Sequence, residues 1–251
     1  MNPLKTFVVS IVVLSVAVFV EVTSGGVPGG AATAPAKELP PVVLHLAGDS
    51  TVMTYAATTV QEGWGQEIGQ FFNDKVTVDN QAIGGANVKT FKAGNWTKIM
   101  AALKPGDFVM MQFGANDSGT AHGPVVPADF AALYGQMADE VMAKKATPIF
   151  VTPSAFYDWT AGKQNNLRLA PYAAILLKAG AEKSVLVADL NARGVEWLNG
   201  AGQEGAKGFY LPNSQGVPDK AHFVKAGATK MAQLVVEEVR RVKSPLAAYL
   251  K

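Results

Sequence analysis

The strongest constraint in this chain is a rhythm. From Val42 to Val242, apolar runs too brief for a helix alternate with longer stretches whose apolar residues recur at helical spacing. The runs lie at 42–47, 76–78, 108–113, 149–152 and 185–190. The longer stretches lie at 64–72, 128–144, 167–179 and 223–242; in the second, Phe130, Leu133, Met137 and Val141 repeat every three or four residues. Strands separated by helices pair in parallel, because a parallel pair needs a long crossover, and helices then cover both faces of the sheet. The rhythm therefore predicts one α/β domain built on a five-stranded parallel sheet. Residues 200–215 show little period and read as a surface loop.

Ahead of that domain stands a different kind of segment. Lys5 precedes an almost unbroken apolar run from Thr6 to Val20, shorter than the roughly 20 residues a membrane-spanning helix needs. A positive start, a run of this length and the small residue Ser24 two places after Val22 predict a secretory signal over 1–24. Residues 25–40, rich in Gly, Pro and Ala, read as a tether, so the folded domain is expected over 41–251. The expectation is a secreted or periplasmic protein, a monomer, with no stable membrane association once the signal is removed. The chain has no cysteine, which excludes disulfides, thiolate metal sites and a cysteine nucleophile. Lys plus Arg number 22 against 20 Asp plus Glu, and a formal net charge of +2 without a basic run excludes a binder of nucleic acid that works through many phosphate contacts.

In open parallel sheets ligands sit beyond the carboxyl ends of the strands, so the residues after each run are read first. Gly48, Asp49, Ser50 and Thr51 follow the first run; Asn80 to Gly85 follow the second; Gly114, Ala115, Asn116 and Asp117 follow the third. Asp219 and His222 stand just before the last helix. A serine hydroxyl becomes a nucleophile when an imidazole takes its proton, and the imidazole needs a carboxylate to hold its tautomer. Ser50, His222 and Asp219 supply those parts. The backbone N–H groups of Ser50 and Gly85 and the Asn116 amide are candidate oxyanion donors. Each patch alone also reads as a turn or a helix cap; their common placement at one sheet edge favours catalysis. Asp117 is expected to orient its loop. His45, inside the first strand, reads as packed or hydrogen-bonded, and His122 as a loop histidine. No histidine lies close enough to another for a metal site, so no metal or other cofactor is expected. Trp159, after the fourth strand among Phe156, Tyr157 and Asp158, is a candidate sugar-stacking face, whereas Trp64 and Trp197 suit helix packing.

The segments G-D-S-T-V (48–52), Gly85, G-A-N-D (114–117) and D-K-A-H-F (219–223) resemble the four blocks of the SGNH, or GDSL, hydrolase superfamily. Within it, L-A-G-D-S-T-V (46–52), Gly63-Trp64-Gly65, residues 80–85 and K-P-G-D-F-V-M-M-Q-F-G-A-N-D (104–117) are similar to the rhamnogalacturonan acetylesterase family. The resemblance implies a flavodoxin-like three-layer α/β/α sandwich, a triad of Ser50, His222 and Asp219, and an oxyanion hole of Ser50, Gly85 and Asn116. It also implies removal of acetyl groups from an acetylated plant cell-wall polysaccharide without a metal. Two positions depart from the family: Ala115 stands where a histidine is usual, and Ala86-Asn87 where Arg-Ser is usual. Asn87 and Trp159 are the expected substrate contacts. Acetylated xylan, short-chain lipid esters, and carbohydrate binding without catalysis on the same fold are the alternatives.

Overall fold

The computed structural model describes residues 38–251; the expected signal over 1–24 and residues 25–37 of the tether lie outside them. In chain order the strands are β1 (Val42–Gly48), β2 (Gln61–Glu62), β3 (Val76–Asn80), β4 (Phe108–Gln112), β5 (Thr147–Val151), β6 (Trp159–Thr160), β7 (Lys163–Gln164), β8 (Leu186–Ala188), β9 (Tyr210–Pro212) and β10 (Pro218–Val224). The helices are α1 (Trp64–Glu67), α2 (Val88–Ala93), α3 (Trp96–Ala102), α4 (Pro127–Ala143), α5 (Ala170–Lys183), α6 (Leu190–Ala206) and α7 (Lys225–Arg241).

The five expected strands form one parallel sheet in the order β3-β1-β4-β5-β8. Numbered by their own succession this is 2-1-3-4-5, the flavodoxin-like order, whose switch point lies between the first and third strands. Here that is the crevice between β1 and β4. Side chains alternate across the sheet as the pleat requires. Leu44, Leu46, Met110, Ile149 and Val151 join one buried core with Trp64, Ile68, Leu198, Met231 and Val235. Ala47, Val109, Met111 and Phe150 join a second core with Phe91, Ile99, Phe130, Met137 and Leu176. Two apolar cores on opposite faces of one sheet make the three-layer sandwich. Among the described residues no helix is long and apolar enough to cross a membrane.

The structure departs from the sequence reading at particular elements. The stretch 64–72 is one short α-turn continued as a 3₁₀ helix over Ile68–Phe71. The fifth run stops at Ala188, because the Asp189 side chain accepts the Ala192 N–H and starts α6 there. Residues 200–215 are not a surface loop. The chain stays helical to Ala206 despite a break at Gly202 (φ +71°), passes through a 3₁₀ turn over Lys207–Phe209 and enters β9. Gly200, Gly202 and Gly205 erase the apolar period there, while buried Ala206 and the Tyr157 hydroxyl donated to the Gln203 carbonyl hold the segment down. Phe223 belongs to β10, and α7 begins at Lys225. A small antiparallel sheet, β2-β10-β9, carries the segment before α7.

Gly65 lets α1 sit directly on the end of β1. A Cβ built there would fall 2.5 Å from the Val52 carbonyl oxygen and 2.8 Å from Asn80 Nδ2. Gly65→Ala is expected to destabilise the fold by about 2 kcal/mol, in the range of core overpacking. The check is urea unfolding, in which the midpoint should fall with an unchanged slope.

Candidate active site

The turn after β1 is built around a buried carboxylate. Asp49 Oδ1 accepts the Thr51 backbone N–H at 2.9 Å and the Thr51 hydroxyl at 2.7 Å. The Thr51 hydroxyl in turn accepts from Gln112 Nε2 at 2.7 Å, and Gln112 Oε1 accepts the Trp64 indole N–H at 2.7 Å. All four residues are buried, so this chain of bonds is shielded from water. Burial pushes the Asp49 carboxyl up even against the two Thr51 donors. Between Asp49 and Thr51, Ser50 is left half-exposed. Its carbonyl accepts the Tyr55 hydroxyl at 3.0 Å.

His222 and Asp219 reach Ser50 across 172 residues of sequence. They ride on β10, where pairing with β9 is irregular: Pro218 faces Pro212 and Phe223 faces Tyr210, with a shift of register between. Such an irregularity re-aims side chains, and it falls on the segment that carries both residues. Phe223, fully buried against Tyr210 at 5.3 Å between ring centroids, anchors the next position. His222 Nε2 lies 2.9 Å from Ser50 Oγ, and His222 Nδ1 lies 3.0 Å from Asp219 Oδ2. The other carboxylate oxygen of Asp219 accepts the N–H groups of Ala221 at 2.6 Å and His222 at 3.1 Å. Partial burial opposes the charge on Asp219, but the Ala221 N–H, the His222 ring and the His222 N–H outweigh it and hold the carboxyl below its usual range. A neutral His222 that donates Nδ1–H to this carboxylate presents an Nε2 lone pair to the serine hydroxyl.

The proposed oxyanion donors come from the ends of β1, β3 and β4. Gly85 has φ +76°, a left-handed conformation that glycine adopts without a Cβ penalty. Neither the Ser50 nor the Gly85 N–H donates to a backbone carbonyl among the described residues. Asn116 Nδ2 donates one hydrogen to the Ala86 carbonyl at 2.8 Å, which fixes the amide and leaves the second hydrogen for another acceptor. Asp117 clamps this edge, accepting the Val88 N–H at the start of α2 at 2.9 Å and the Gly114 N–H at 2.8 Å. That is the loop-orienting part expected of it.

The two expected substrate contacts are both engaged with other groups of the protein. Asn87 is buried as the N-cap of α2: its Oδ1 accepts the Thr90 N–H, and its Nδ2 donates to the carbonyls of His122 and Gly123 at 2.9 and 2.8 Å. Both amide hydrogens are used inside the protein and position the His122 loop, and Asn87 also lines a cavity shared with Lys89 and Thr90. Trp159 packs edge-on against Tyr157, 5.9 Å between centroids, and against the core beside α6. The residue is only partly buried. His45 is buried in β1 with Nδ1 2.7 Å from Asp79 Oδ2, and Trp64 is buried in packing, both in line with the structural roles read from the sequence.

Arg168 was not legible in the sequence as part of this region. Its Nη2 donates to the Ala115 carbonyl at 2.7 Å, its Nε to Ser118 Oγ at 3.0 Å, and its guanidinium lies 5.2 Å from the centre of the Phe156 ring. Ala115 packs with Phe156, Leu169 and, beside His222, Ala221. No periodicity marks Arg168; the only signal was its nearness in sequence to the polar residues 164–166.

Known proteins similar to this chain identify its family. Residues 46–228 match the GDSL-like lipase/acylhydrolase family. Two Bacillus subtilis relatives are similar over nearly their whole length. The probable rhamnogalacturonan acetylesterase YesY is 32% identical over 208 residues, 81% of this chain and 94% of that protein. The rhamnogalacturonan acetylesterase RhgT is 31% identical over 220 residues, 84% of this chain and 94% of that one. The solved structure of Bacillus subtilis YxiM superposes with a TM-score of 0.74 at 30% identity, covering 82% of this chain; this chain spans only 58% of that one. The protein belongs to the GDSL-like lipase/acylhydrolase family and is a carboxylic ester hydrolase.

The clamp at Asp117 has a pH signature. Burial, reinforced by the neighbouring Asp49 carboxyl, pushes Asp117 up to about 6 from an ordinary 3.8. A folded-state value above the unfolded one means that the folded protein binds the proton more tightly, so this contribution to stability is full below the ordinary value and is lost as pH rises through about 6. Relative to Asp117→Asn, which does not titrate there, the wild-type protein should lose roughly 2 kcal/mol of stability between pH 4 and pH 7.5. Urea unfolding of both proteins at the two pH values measures it.

Proposed function

We propose that this protein is an exported serine esterase that removes O-acetyl groups from rhamnogalacturonan, a pectic polysaccharide. The observation that carries the reading is the unbroken contact from Asp219 through His222 to Ser50, at 3.0 and 2.9 Å, beside donors free to take up an oxyanion. In this mechanism His222 Nε2 takes the Ser50 hydroxyl proton as Oγ attacks the acetyl carbonyl carbon. The carbonyl oxygen becomes an oxyanion held by the Ser50 and Gly85 N–H groups and the free Asn116 amide hydrogen. Collapse breaks the bond to the sugar oxygen, which leaves with the proton from His222, and acetyl-Ser50 remains. Water then gives a proton to His222 and its oxygen to the acyl carbon, acetate departs, and the proton returns to Ser50. Asp219, held ionised by its backbone donors, orients the ring and stabilises the imidazolium formed in each half-reaction.

The substrate class is supported by the names and near full-length coverage of YesY and RhgT. Export is supported by the basic start and apolar run of residues 1–24. Ser50→Ala should abolish acetate release from acetylated rhamnogalacturonan; undiminished release would remove the proposal. Asn116→Ala should lower kcat by about 10² to 10³ while the unfolding midpoint moves little, in line with loss of one oxyanion donor. A variant that loses stability but keeps its turnover would show that Asn116 only supports the loop.

A further inference from the structure

Beside the Gly85 donor the structure holds a histidine that the mechanism above does not use. A Cβ placed on Gly85 would fall 3.3 Å from His122 Cε1 and 3.4 Å from its Nδ1, so the ring stands directly beside the glycine. The loop that carries it is tied down, because the His122 and Gly123 carbonyls accept both amide hydrogens of buried Asn87. The ring itself is exposed, and its nitrogens bond to no protein group among the described residues. Two cavities meet at this ring. One, of about 340 Å³, is lined by Ile83, Gly85, Ala86, Asn95 and His122; the other, of about 330 Å³, lies beyond it toward Lys89 and Asp129. Thr90 and His122 line both, so the two adjoin there as the halves of a trough that reaches Gly85 at one end and runs beside the first turn of α2.

An acetyl group would fill a small part of that space. Each half is of the size that holds a small organic ligand. The lining suits a hydroxyl-rich one: a neutral imidazole offers one donor and one acceptor, which matches adjacent sugar hydroxyls, and the Asn95 carbonyl oxygen adds an acceptor, since its Nδ2 is already given to the Gln81 carbonyl. Ala86 is too short to reach across the trough, which leaves the imidazole as the polar side chain nearest Gly85.

We propose that this trough is an extended saccharide subsite of the esterase, in which His122 hydrogen-bonds the sugar neighbouring the acetylated one and so sets a preference for oligomeric over monomeric substrates. The proposal rests on the esterase reading above. Its test is calorimetric binding of rhamnogalacturonan oligosaccharides of two and four or more sugars to Ser50→Ala, with and without His122→Ala or His122→Gln. The longer ligand should bind Ser50→Ala more tightly than the shorter one. His122→Ala should weaken the longer ligand about tenfold, and His122→Gln, which keeps a donor and an acceptor, should recover most of that loss. Equal affinity of the longer ligand with and without the imidazole overturns the subsite, as does an absence of binding by Ser50→Ala. Failure of the esterase reading shows itself separately, as acetate release by Ser50→Ala.

Discussion

The site depends on one buried chain of hydrogen bonds, running from the Trp64 indole through Gln112 and Thr51 to Asp49. It joins the first turn after β1, the last residue of β4 and the first residue of α1, three pieces of chain that meet at the switch point of the sheet. Inside a protein each such bond contributes only about 1 kcal/mol net, but a partner lost from the chain leaves a buried group unpaired at a cost of about 1 to 3 kcal/mol. The turn is thereby held in one geometry, with Ser50 half-exposed and its hydroxyl beside His222. A nucleophile that must meet both a base and an oxyanion pocket gains most from such preorganisation, because small misplacements weaken every later contact.

The opposite half of the site is held by different means. Asp219 and His222 come from a short strand in a three-stranded sheet, and the fully buried Phe223 fixes them against the core while the strand's irregular pairing turns them toward Ser50. Asp117 performs the third attachment, joining the β4 loop to the first turn of α2 through two backbone N–H groups. Asn87 caps the same helix and anchors the His122 loop with its amide. The edge that carries Gly85 and Asn116 is therefore a set of helix caps and turn clamps. Such groups keep backbone donors aimed outward without exposing the core, and one clamp can serve both folding and the site.

The parallel sheet was legible because its central strands β1, β4 and β5 are buried on both faces, which leaves continuous apolar runs that stand out from the helices around them. The helices α2 and α3 were not, since elements of 6 and 7 residues are too short to show a period. Asn87 illustrates what single residues conceal. A polar side chain two residues after Gly85 suits a substrate contact, yet it also stands three residues before Thr90, with which it makes reciprocal capping bonds. Trp159 makes a related point: position after a strand says which end of the sheet a ring occupies, not which neighbours, such as Tyr157, pack on its edge. The end of α6 was missed because its glycines hide a helix that tertiary packing retains.

By itself the sequence determined the class of fold, the order of its five strands along the chain, and which residues could supply a hydroxyl, an imidazole, a carboxylate and amide donors, since those follow from apolar period and side-chain chemistry alone. It also removed the thiol and left serine as the candidate nucleophile. Only the tertiary structure decided that Ser50 and His222 lie 2.9 Å apart across 172 residues, that Asn116 keeps one amide hydrogen free, and that Asn87 gives both amide hydrogens to the loop of His122, which stands beside Gly85. The reason is physical. Distances between parts remote in sequence are fixed by the packing of two cores against one sheet, and whether a polar group is available depends on which partners that packing has already given it.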